Sequence, residues 1–119
     1  MSPSDNALRL KVTLRLLDGG NQRRFGPGVA VLLLKVREHH SLRAAAGAMG
    51  MAYSKAWRII RSAEEAFGCK LLDSTIGGRH GGGAVLTPEA ETLLEAYQTL
   101  LAEVDAFAQK RYLERFGNL

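Results

Sequence analysis

Cysteine is nearly missing from this chain. Cys69 is the only one in 119 residues, so no internal disulfide can form, and that usage suits a reducing, cytoplasmic compartment. No apolar run reaches the roughly 18 residues that a membrane-crossing helix needs, and no membrane partner is expected. The opening MSPSDNALRLK lacks the apolar centre of a secretory signal. His39, His40, His80 and Cys69 do not fall at metal-ligand spacing. The pair His39-His40 reads instead as a helix C-terminus, where cations suit the helix dipole. No Ser-His-Asp or Cys-His arrangement declares itself. The expectation is a protein without catalytic residues, metal or cofactor, and not an enzyme.

What is present is a globular balance, 46% hydrophobic and 24% charged, in a length that fits one domain over residues 1–119. The net charge is +4 and the sequence pI about 9.6, which points weakly to a polyanionic partner. The charge is unevenly placed. Residues 1–80 hold 13 Lys and Arg against 6 Asp and Glu, whereas residues 81–119 hold 3 against 6. A polyanion-binding surface is therefore expected in the first two thirds, and a different task in the acidic remainder.

Leu8, Leu10, Val12, Leu14 and Leu16 alternate with Arg9, Lys11, Thr13 and Arg15. That period of two predicts a half-buried strand with a cationic outer face. Asp18–Gly28 reads as a turn-rich connection. A buried helix is expected from about Pro27, a first-turn proline, to His39. Ser41 caps a second helix over LRAAAGAMG, which Gly50 breaks. A third helix is expected from about Ala52 to Phe67, stopped by Gly68. Two short strands, Lys70–Thr75 and Ala84–Thr87, flank a glycine-rich loop. Thr87, Pro88 and Glu89 open a long amphipathic helix that reaches about Phe116. The order is that of a winged helix-turn-helix, mainly α with a small β-sheet.

In the third helix Ala56, Ile60, Ala63 and Phe67 form an apolar stripe for the core. Ser54, Lys55, Arg58, Arg61 and Ser62 fall largely on the other side, in its early turns, where a recognition helix meets the major groove. Arg bonds bidentately to guanine, while Ser and Lys more often hold phosphate. Trp57, at the edge of the stripe, is expected to pack, and Tyr53 is placed to reach a phosphate through its hydroxyl. A bare solvated helix face would look similar. The glycine-broken helix before it and the hairpin after it favour recognition.

The loop STIGGRHGGGAVLTPEAE raises the question of what its glycines, Arg79 and His80 grip. A Walker A loop needs Lys-Ser/Thr directly ahead of a helix, and a dinucleotide loop needs a strand before and a helix after. Here the strand-like AVLT follows, so both nucleotide readings fail. As a hairpin tip the loop is expected to place Arg79 and His80 beside DNA, its glycines allowing a close approach to a backbone; a merely mobile turn is the plain alternative.

SLRAAAGAMGMAYSKAWRII followed by GGRHGGGAVLTPEAETLLEAY resembles the N-terminal DNA-binding domain of the ModE family of molybdate-responsive transcription regulators, itself related to the LysR-type winged helix. FGPG, Tyr53, Ala56-Trp57, the glycine-rich wing and the LT before the long helix carry the resemblance over roughly residues 8–112. It implies binding of double-stranded DNA as a homodimer joined largely by the long helix. The apolar positions Leu93, Tyr97, Leu100, Leu101, Val104 and Phe107 are the expected seam, being more than one small core needs. Ala52 stands where the family often has a capping Ser, which shifts capping to Ser54. The family's regulators continue into a molybdate-binding domain, and nothing in these residues supplies an oxyanion site. No small-molecule effector is therefore evident.

The resulting expectation is a ModE/LysR-like DNA-binding transcription regulator. Ser54, Lys55, Arg58 and Arg61 do the reading, and Tyr53, Arg79 and His80 lie beside them. Ser41 and Arg43 are candidate phosphate contacts at the start of the second helix, where free N–H groups attract anions. A protein–protein module of the same fold and a binder of oxyanions such as molybdate or tungstate remain as alternatives.

Overall fold

The computed structural model describes residues 7–75 and 83–118. Four helices and two separate two-stranded antiparallel sheets follow in the order β1 (Leu16–Leu17), β2 (Arg23–Phe25), α1 (Pro27–His39), α2 (Leu42–Ala48), α3 (Tyr53–Phe67), β3 (Leu72–Thr75), β4 (Gly83–Leu86) and α4 (Pro88–Phe116). The architecture is the winged helix expected from the sequence, with two small sheets in place of one.

One core joins the elements. Leu32, Leu33 and Val36 of α1, Ala45 and Ala46 of α2, and Ala56, Ile60 and Ala63 of α3 are buried together with Phe25, Leu71 and Leu94. The alanines on α2 and α3 let the helices approach closely. Between them Gly50 turns the chain at φ +65°, a conformation that costs an ordinary side chain about 1–2 kcal/mol. Ser41 caps α2 as expected, its Oγ accepting from Ala44 N at 3.0 Å. Thr87 caps α4, accepting from Ala90 N at 3.0 Å while its hydroxyl donates to Lys70 O at 2.7 Å. That second bond fixes the start of α4 to the wing.

Four local expectations need correction. The alternation is real as alternating burial from Leu10 to Leu16, but Leu8 is 84% exposed and only Leu16 and Leu17 enter a ladder, with β2. The rest runs antiparallel along α4, where Tyr97 Oη donates to Leu14 O at 2.8 Å and Gln109 Nε2 to Leu10 O at 2.9 Å. The connection after Asp18 contains β2, whose Phe25 is 1% exposed and edge-on to Tyr97, with centroids 5.0 Å apart. The N-cap of α3 is Ala52, with no side-chain cap bond; Ser54 sits inside the first turn and does not cap. Phe67, the expected end of the apolar stripe, is 40% exposed and meets only the rim of the core, edge-on to Phe25.

The wing root is held by backbone. β3 and β4 pair from Leu72↔Leu86 to Thr75↔Gly83. Ala84 N donates to His40 O at 2.9 Å, and Thr87 N to Leu71 O at 3.0 Å. His40 accepts that bond from the left-handed cap of α1, at φ 56°. No helix of the described residues is long and apolar enough to cross a membrane.

Candidate nucleic-acid interface

The site is organised by the rotation of α3, about 100° per residue. Ala56, Ile60 and Ala63 occupy one arc and are fully buried. The opposite arc carries Ser54, Arg58, Arg61 and Glu65, all exposed. One flank of this outer arc, with Tyr53 and Trp57, faces the wing. The other, with Lys55 and Ser62, faces the β1–β2 hairpin. α3 therefore presents a ridge between two clefts.

The wing-side cleft has a volume of about 380 Å³ and is lined by Ser41, Arg43, Tyr53, Trp57, Arg61 and Lys70, among others. Two cation–π pairs shape it. The Arg43 guanidinium lies 4.2 Å from the Tyr53 ring centroid, and that of Arg61 lies 5.1 Å from the Trp57 centroid. Such stacking limits the rotamers of both arginines and leaves their N–H edges free for acceptors. Ser41 Oγ is engaged by Ala44 N as an acceptor, so its hydroxyl proton stays available to donate. Glu64, also in the lining, does not oppose an anion in a simple way: its carboxylate accepts from Leu71 N at 2.9 Å.

The structure brings Ser41, Arg43, Tyr53 and Arg61 to one cleft and Lys55 and Arg58 to the other. Ser54 lies on the outer arc between them. Arg79 and His80 lie outside the described residues. Trp57 overturns its packing expectation. It is 41% exposed, because its position falls one residue past the buried arc, and it lines the wing-side cleft. Lys70, in the same cleft, was missed; as a lone lysine before a strand it gave no sequence signal.

The expected dimer seam divides. Tyr97 is 5% exposed and hydrogen-bonded to Leu14 O, so it belongs to the protomer's own core. Leu93 and Leu101 are half-buried against that core. Leu100, Val104 and Phe107 are 43%, 38% and 59% exposed and share one stripe of α4. Among the described residues no group of His, Cys, Asp or Glu could hold a metal ion.

Residues 30–91 match the family described as bacterial regulatory helix-turn-helix protein, lysR family. The chain is 35% identical over 81 residues to the molybdenum-pterin-binding protein MopB of Rhodobacter capsulatus, covering 68% of this chain and 30% of that protein. It is 32% identical over 98 residues to the molybdenum transport protein ModE of Herbaspirillum seropedicae, covering 82% and 35%. The chain thus spans about a third of the length of these curated relatives. Among solved structures, the BenM DNA-binding domain in complex with benA site 1 DNA superposes with a TM-score of 0.54 at 26% identity, over 76% of this chain and 96% of that one. The same domain bound to catB site 1 DNA gives 0.52 at 28% identity, over 71% and 91%.

Proposed function

We propose that the chain, which belongs to the lysR family of bacterial regulatory helix-turn-helix proteins, is a ModE-like DNA-binding transcription regulator that reads duplex DNA as a homodimer with α3 in the major groove. The observation that carries this reading is the ridge on α3. Its buried arc is fixed by three residues without exposure, so the outer arc with Ser54, Arg58 and Arg61 is rigidly presented. Trp57 adds an apolar surface suited to a thymine methyl, and Arg58 and Arg61 suit guanine O6/N7. Ser41, Arg43 and Tyr53 hold phosphates on the wing side. Arg79 and His80 extend that contact.

The exposed stripe of Leu100, Val104 and Phe107 supports pairing of two α4 helices about a two-fold axis. Such pairing would set two α3 helices about one DNA turn, roughly 34–36 Å, or a multiple of it apart. The acidic balance of residues 81–119 suits a position away from DNA. The protein acts in the cytoplasm and without catalysis.

Selection of bound DNA from a random duplex pool tests the reading. The expected winner is a pseudo-palindrome whose half-sites each contain guanines. A pool that returns no enriched duplex would overturn DNA reading, and an enriched single half-site would overturn the dimer.

A further inference from the structure

The second cleft beside α3 is not accounted for by the wing-side contacts. It has a volume of about 570 Å³ and lies between α3 and the β1–β2 hairpin. Arg15, Arg23, Arg24, Lys55 and Arg58 all line it, and no Asp or Glu does. Only one of these five cations is neutralised locally. Arg24 Nε bonds Asp18 Oδ2 at 2.8 Å, and its Nη1 donates to Ser62 Oγ at 3.1 Å. The second bond ties the hairpin to α3. Among the described residues Arg15, Arg23, Lys55 and Arg58 have no ion pair, and all four are exposed.

We propose that the β1–β2 hairpin is a second DNA-contacting element, in which Arg15 and Arg23, continuing the line of Lys55, hold backbone phosphates of the strand opposite the wing. The inference rests on the DNA reading above and extends it. A ridge seated in a major groove has a phosphate backbone on either side. The wing-side flank faces one backbone with Ser41, Arg43 and Lys70. The hairpin-side flank, across the outer arc of α3, must face the other. Four unpaired cations there would repel one another unless a polyanion lies among them. Folding has set them in place, because Arg24 pins β2 to α3 and the Arg15 side chain packs across Gly26, where an added Cβ would come within 3.1 Å of its Cγ. Phosphate contacts of this kind fix register and affinity and carry no sequence information.

The test is the salt dependence of binding by the R15Q/R23Q double variant, measured on the selected duplex and on a random duplex. Loss of two phosphate contacts in each protomer, four in the homodimer, should lower the slope of log affinity against log salt by about four. Affinity should fall by the same factor on both duplexes. R15K/R23K should restore the slope, since a phosphate accepts a point charge. Ethylation interference should lose its signals on the strand opposite the wing in the double glutamine variant only. Wild-type slope and affinity in that variant would overturn the role of the hairpin and leave the DNA reading standing. A wild-type chain that bound no duplex at all would overturn both. A loss confined to the selected duplex would make these arginines base readers and overturn the phosphate assignment.

Discussion

Arg61 lies with its guanidinium over the indole of Trp57, 5.1 Å from the ring centroid, one helical turn along the same face of α3. The pair turns an apolar ring and a cation into one surface of the wing-side cleft. Trp57→Ala should therefore change the thermal midpoint little, because the ring is 41% exposed. It should weaken specific DNA binding by about 1–3 kcal/mol, as loss of a base contact does. A large drop in the melting midpoint with unchanged affinity in the folded fraction would return Trp57 to the packing role.

Arg58 stands on the outer arc of α3 and lines the hairpin-side cleft. Arg58→Ala should cost about 1–3 kcal/mol on the selected site and relax preference at one base pair. Binding measured against single-base variants of the site checks this. A uniform loss across all sequences would assign Arg58 to phosphate.

Leu100 and Val104 occupy one exposed stripe of α4 while Tyr97, three residues before Leu100, is buried in the protomer's own core. Replacing Leu100 and Val104 by Glu should yield folded monomers with much weaker DNA binding. Sedimentation at micromolar concentration, beside the circular dichroism of the same sample, reads both properties. Tyr97→Phe gives the contrasting case. It removes the bond to Leu14 O and should cost about 1 kcal/mol of stability without changing the association state.

Asp18 organises the hairpin turn, accepting from Gly20 N at 2.7 Å and Gln22 N at 3.0 Å as well as from Arg24. The Gln22 amide first, and then Arg24, hold its carboxyl below the ordinary carboxylate value near 3.8. The folded state thus favours the ionised form. Its stabilisation is present above the unfolded value and is lost as pH falls through the folded one. The wild-type chain should lose stability below about pH 4 faster than Asp18→Asn, whose melting midpoint in that range should be flatter. Parallel curves would show that the turn does not depend on this carboxylate.

Much of this was legible in the chain. Gly50, Gly68, Pro27 and the Thr87-Pro88 pair marked element ends because each acts through its own backbone or its nearest neighbours. The wheel of α3 separated Ala56, Ile60 and Ala63 from Arg58 and Arg61 for the same reason. β2 was hidden because Arg23–Phe25 is three residues long and its partner is only two. Nothing in a stretch so short fixes a ladder without the core against which Phe25 packs.

The sequence by itself determined the helices, the helix-turn-helix break and the cationic face, since these follow from periodicity, capping and local charge. Tertiary structure alone decided which boundary residues fall inside. Trp57 and Tyr97 are both large aromatics at the edge of an apolar stripe. Trp57 turns outward because the alanine arc of α3 already fills its place against α1 and α2. Tyr97 turns inward because the N-terminal segment crosses α4 there and offers a carbonyl to its hydroxyl. Likewise Arg15 and Arg23, apart in sequence, became neighbours of Lys55 only when Arg24 drew the hairpin onto α3. A buried position depends on what covers it, and that cover comes from residues far along the chain.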